Sequence, residues 1–100
     1  MMANYYVHYA KHSTLVGSVV DTVNLTQPAS YILVSNRSVS GTPIYFSIGD
    51  TLDTTADPVA AGDNTFAIAP GITIQVPFDG SQSVVKLISA DPQSYSVMVV

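Results

Sequence analysis

Apolar residues in this chain come in short runs rich in β-branched and aromatic side chains, separated by clusters of Ser, Thr, Asn, Gly and Pro. Period-two patterning of this kind predicts strands. The stretch Ser30 to Gly49 organises the rest. Tyr31-Ile32-Leu33-Val34 and Ile44-Tyr45-Phe46-Ser47-Ile48 flank a polar break of Asn36, Arg37, Ser38, Ser40, Gly41, Thr42 and Pro43. Gly41 tolerates positive φ, Pro43 fixes φ, and Asn36 and the serines can bond nearby backbone. The pattern reads as a β-hairpin with a loop longer than two residues, at the centre of the domain. Its second arm puts Ile44, Phe46 and Ile48 on one face. Its first arm is apolar on both faces, which predicts a strand covered on both sides, by a second sheet or by another subunit.

Further strands follow from the same rule. Asn4 to Ala10 is rich in Tyr and Val and reads as the first strand, broken by Lys11, His12 and Ser13. In Leu15 to Leu25 the spacing of Val16, Val19, Val20 and Val23 would fit a helix face. Gly17, Thr22 and the valines favour strand instead, because β-branched side chains lose rotamer freedom in a helix. Thr26-Gln27-Pro28 ends it. Asp50 to Asn64 is the longest irregular stretch, expected to be a surface excursion with a short turn of helix. Phe66 to Ala69 is a strand, and Pro70-Gly71 a tight turn. Ile72, Ile74, Val76 and Phe78 then alternate with Thr73, Gln75 and Pro77. Pro77 cannot donate to a ladder, so that end belongs on an edge or at a bulge. After a turn at Asp79-Gly80-Ser81-Gln82, Val84 to Ile88 is a strand with Lys86 on the side of Val84 and Ile88. Asp91-Pro92 turns the chain into a last strand, Tyr95 to Val100. The apolar ending Val97-Met98-Val99-Val100 must pair inside the sheet or be covered, since each such side chain is worth about 1.5–3 kcal/mol when buried. The sum is an all-β chain of about eight short strands, residues 1–100 forming a single-domain antiparallel β-sandwich of jelly-roll type, with 1–12 as an N-terminal arm or edge strand.

Composition narrows the function. Charged residues make up 10% of the 100 residues, against about 25% in ordinary soluble domains. Lys11, Arg37 and Lys86 are the only cations, and the net charge is −4. Holding a phosphate backbone takes several Lys and Arg, so nucleic acid and anionic membrane are not expected partners. A Ser, Thr, Asn and Gln surface is easily desolvated and suits a protein packed against neighbours. Cysteine is absent, which removes disulfides and thiolate metal sites. No basic start followed by an apolar core marks a secretory signal, and no apolar run approaches membrane-spanning length.

Candidate chemistry is sparse. His8 and His12 stand four apart but in a strand-and-turn context, with no third ligand. Asp50, Asp53, Asp57 and Asp63 crowd one loop without the spacing of a calcium loop, and Asp equally serves to cap turns. Serines accompany the histidines, but no G-x-S-x-G elbow is present, and the only carboxylates are aspartates. Tyr5, Tyr6, Tyr9, Tyr31, Tyr45 and Tyr95 could build a stacking platform for sugars. Tyrosines are equally at home on an ordinary sheet surface or subunit interface. No catalytic residue, cofactor or metal site is expected.

The runs Tyr31 to Arg37, Thr42 to Gly49, Ala69-Pro70-Gly71 and Val84 to Ser89 resemble the small β-sandwich virion proteins of tailed bacteriophages, of the capsid decoration (cement) type. The resemblance covers roughly residues 29 to 100 and lies in the strand pattern. It implies a structural protein on the capsid exterior, made in the host cytoplasm and assembled as a homotrimer. Its partners would be the major capsid protein or other virion proteins. It also implies a gripping role for Met1 to Ala10. The residues expected at interfaces are Tyr5, Tyr6, Val7, Tyr9, Tyr31, Tyr45, Val97, Met98, Val99 and Val100. A neck, tail or fibre-associated virion protein and a carbohydrate-binding module are the alternatives.

Overall fold

The computed structural model describes residues 9–26, 29–50, 55–60, 62–63, 65–80 and 83–100. They form eight strands: β1 (Tyr9–Thr14), β2 (Asp21–Leu25), β3 (Ala29–Asn36), β4 (Ile44–Gly49), β5 (Phe66–Ile68), β6 (Thr73–Gly80), β7 (Ser83–Ile88) and β8 (Ser94–Val99). Two four-stranded sheets result, sheet A in the order β1-β8-β3-β6 and sheet B in the order β2-β7-β4-β5. Every pairing is antiparallel. First pairs with last, second with seventh, third with sixth and fourth with fifth. A long antiparallel ribbon rolled up in this way is the eight-stranded jelly roll.

The alternating residues meet between the sheets. Sheet A contributes Ile32, Val34, Tyr95, Val97 and Val99; sheet B contributes Val23, Leu25, Ile44, Phe46, Ile68, Val85 and Leu87; Leu15 joins from the β1–β2 connection. The outer faces carry the intervening residues, because a strand turns successive side chains to opposite sides. Phe46 stacks on Phe66 with ring centroids 4.9 Å apart, so the edge strand β5 is held by an aromatic pair as well as by its short ladder.

Several expectations are corrected. Ser30 to Gly49 is not a hairpin: β3 lies in sheet A and β4 in sheet B. Both edges of β3 are already bonded, to β6 and β8, so β4 has no edge to join there and pairs in the other sheet, with β5 and β7. Among the described strands the only consecutive ones that pair are β4 and β5. The first strand does not stop at Ala10. Lys11, His12 and Ser13 continue β1 because Val97, Ser96 and Tyr95 of β8 offer them partners; residues 4–8 lie outside the described ones. Within Leu15 to Leu25 only Asp21–Leu25 is strand, since residues 15–20 must carry the chain from one sheet to the other. The described part of Asp50 to Asn64 contains no helix.

Other expectations hold. Ile72 N–H donates to Ala69 O at 3.1 Å, and Gly71 has φ +80°, the left-handed position that a turn with Pro at its second residue requires. Pro77 lies in β6, the edge of sheet A, close to a register shift between Ala29 and Tyr31.

Candidate functional site

Three surfaces concentrate chemistry. The outer face of sheet A is built from alternate residues of four strands. One row across it reads Ala10, Met98, Leu33 and Gln75, and the next reads His12, Ser96, Ser35 and Thr73. Leu33 and Met98 are half-buried, while His12, Thr73 and Gln75 are exposed. His12 Nδ1 and Ser96 Oγ are 2.6 Å apart, and Ser35 Oγ and Thr73 Oγ1 are 2.7 Å apart. Tyr31, 41% exposed, stands beside Val100, whose N–H donates to Tyr31 O at 3.0 Å. Tyr31, Leu33, Gln75 and Val100 line a cavity of about 370 Å³. Three residues expected at interfaces, Tyr31, Met98 and Val100, thus meet on one face. The uncovered apolar side of β3 is this same face.

The other expected interface residues do not join them. Val97 and Val99 point inward and are fully buried, so they belong to the chain's own core and cannot meet a partner. Period two, applied to an unbroken apolar ending, divides it between the faces. Tyr9 packs against the core. Tyr45 is half-buried on the outer face of sheet B, paired with Ile88 and Ala67. Tyr5, Tyr6 and Val7 lie outside the described residues.

The second surface is one end of the sandwich. The connections 15–20, 37–43, 69–72 and 89–93 gather there, laced by backbone bonds such as Ser18 N to Ser89 O (2.7 Å), Arg37 N to Ser94 O (2.8 Å) and Gly71 N to Asn36 O (2.9 Å). Asn36 is buried, and its Nδ2 donates to Ile68 O at 3.1 Å, tying sheet A to sheet B. From this scaffold project Val16 (66% exposed), Val19, Val39 (98% exposed) and Ile72. These side chains were not among the expected interface residues. Only Val39 stood in a segment read as a turn; Val16, Val19 and Ile72 were read within strands, and the structure places them in connections instead.

The third surface is the outer face of sheet B, covered by the β4–β5 connection. Lys86 lies on it, paired across the ladder with Thr22 and Ser47. Its Nζ donates to Thr55 O at 2.7 Å and to Asp57 Oδ1 at 2.9 Å. Ser47 Oγ donates to Ala56 O at 2.6 Å. A Cβ on Gly49 would overlap Thr55 Oγ1, so glycine there lets the connection lie flat on the strand. Under this cover all six residues of β7 are buried, Lys86 included. The lone lysine in an apolar strand was the visible sign; its partner on a loop 29 residues away was not.

The remaining candidates disperse. Asp57 is committed to Lys86, Asp50 and Asp63 are exposed, and Asp53 and His8 lie outside the described residues. No group of three His, Asp, Cys or Glu is placed to hold a metal ion among the described residues. Among the described residues the His12–Ser96 pair is the one serine–histidine hydrogen bond, but Ser96 is 3% exposed in a strand bonded on both sides. A buried hydroxyl in such a ladder has neither approach for a substrate nor spare N–H groups for an oxyanion. Tyr95 is wholly buried and its hydroxyl donates to Asp21 Oδ2. Burial first, then that hydrogen bond, raises the phenol well above its ordinary range. Among the described residues no helix is long and apolar enough to cross a membrane. Set against family models, curated proteins and solved structures, the chain matches none.

Proposed function

We propose that this chain is a structural virion protein of a tailed bacteriophage, which decorates and stabilises the capsid by bridging capsomers. The observation that carries the reading is the apolar loop end. Val16, Val19, Val39 and Ile72 leave three different connections at one end of the sandwich and stand exposed. Convex aliphatic side chains on a nearly uncharged domain suit burial against another protein rather than capture of a small molecule. The strand-pattern resemblance to decoration proteins points the same way. Jelly rolls serve in capsids, lectins and other roles, so the fold is an analogy only.

A bridging protein needs two contact regions. The loop end supplies one. The N-terminal segment, expected to grip the shell, would supply the second. A homotrimer at positions between capsomers would set both against the major capsid protein. Contacts that exist only in the assembled shell stabilise that shell by mass action.

The test is a binding assay on shells purified from the source particles, with copy number measured by quantitative mass spectrometry. The expected ratio to the major shell protein is near one to one. Val39→Asp and Val16→Asp should weaken binding while leaving the fold unchanged, because both side chains are exposed. Deletion of 1–8 should also weaken it; a cut at residue 10 would remove part of β1. A few copies per particle would move the protein to the neck, tail or a fibre. Absence from the particle would end the virion reading.

A further inference from the structure

We propose that the outer face of sheet A binds an uncharged oligosaccharide, with Tyr31 as the stacking ring and Gln75, Thr73 and His12 as hydrogen-bonding groups. The inference is independent of the virion reading and uses a different surface from the loop end.

A sugar ring presents a patch of C–H groups on its face and hydroxyls around its rim. A site for it needs an exposed aromatic ring, an apolar floor and uncharged donors and acceptors beside them. The face has all three. Tyr31 offers its ring at 41% exposure and borders the cavity of about 370 Å³ with Gln75 and Leu33. That volume is within the range of small-molecule sites, about 300–1,000 Å³. Gln75 carries both a donor and an acceptor on one amide. Thr73 lies two residues before it on the same exposed side of β6. His12 commits Nδ1 to Ser96, which leaves Nε2 for a ligand.

The layout also sets the ligand's size and charge. Thr73 and His12 lie on the two outermost strands of the sheet, in one cross-strand row. With strands about 4.8 Å apart, the row spans roughly 14 Å, room for more than one ring. The described side chains that β1, β3, β6 and β8 turn outward include no Asp, Glu, Lys or Arg. An anionic ligand would therefore find no Lys or Arg among these outward side chains to pair with; Lys11 of β1 lies on the opposite face of the sheet. A neutral chain of sugars meets no such demand.

The experiment is an amide NMR titration of the whole chain with cellohexaose, maltohexaose, mannohexaose and chitohexaose, at up to millimolar sugar. At least one sugar should shift resonances on β3, β6 and β8 around Tyr31, Gln75 and Thr73. Tyr31→Ala should weaken that binding about tenfold, and Tyr31→Phe, which keeps the ring, should stay within a few-fold. The spectrum of each variant checks its fold. No shift with any of the four sugars would overturn the proposal. So would shifts that Tyr31→Ala leaves unchanged. Concentration-dependent shifts on this face without sugar would assign it to a second copy of the chain and overturn it as well. Loss of capsid binding in Val39→Asp bears on neither result.

Discussion

Tyr95 shows how one side chain joins the two sheets. It belongs to β8 in sheet A, is fully buried, and donates to Asp21 at the start of β2 in sheet B. A hydrogen bond to a charged group contributes about 1.5–3 kcal/mol, so Tyr95→Phe is expected to lower unfolding free energy by about that much in a urea titration. The bond also sets a pH dependence. Burial and Asp21 hold the phenol protonated above its ordinary value of 10.0. The unfolded chain loses this proton near 10 while the folded chain keeps it, so above that pH the unfolded state binds fewer protons and stability falls. The contribution is fully present below pH 10 and is lost as pH rises toward the folded value. Tyr95→Phe should remove that part of the alkaline loss, leaving a flatter profile. Sequence placed Tyr95 at the head of the last strand but could not tell its inward course from that of Tyr31. Both begin apolar runs; the difference is which strand sits opposite, and that is a long-range fact.

Strand propensities were legible at the scale of elements because period two is local. Val23, Ile32, Ile44, Phe46, Ile74, Val76, Val85 and Val97 all lie within strands anticipated from alternation. Partner choice was not legible. The apparent hairpin at Ser30 to Gly49 fails because β3 spends both edges on β6 and β8, strands 38 or more residues further on in chain order for pairs such as Ser35 with Thr73. The β4–β5 connection was read as an excursion and is instead a cover for sheet B. Its attachment separates two contributions. Asp57's side chain is 70% exposed, so its ionic pairing with Lys86 is worth at most about 1 kcal/mol. Lys86 is buried and also donates to Thr55 O. Asp57→Asn should therefore change stability little, whereas Lys86→Ala should cost at least 1–3 kcal/mol, roughly the penalty of disturbing a buried polar contact. Hydrogen exchange across β7 and residues 55–60 should quicken in Lys86→Ala alone. Equal effects of the two substitutions would mean that the ion pair, rather than the buried amine, holds the connection down.

The whole molecule is an acidic domain with very few charges, net −4, and an apolar end. Association through Val16, Val39 and their neighbours should be driven by burial of apolar surface rather than by charge. Retention on the shell should then survive about 1 M NaCl, where the screening length shrinks to about 3 Å. Elution by salt would point to a charged contact elsewhere on the molecule. Of these surfaces, low charge and exposed tyrosine could be read from composition, while the loop end could not, because it gathers residues from three connections far apart in the chain. The nested pairing of β1 with β8 has a consequence for how such a chain is made. His12 touches Ser96 across 84 positions, so sheet A can form its β3–β6 ladder early but cannot join β1 to it until β8 has left the ribosome. Contacts so distant in sequence favour slow folding. Until then the newly made chain holds β1 without its partner and β3 with an unpaired edge, a state open to pairing with other copies. Yield in the cell should thus depend on how long the unfinished chain waits, and on what shields it during that wait, more than on the stability of the finished fold.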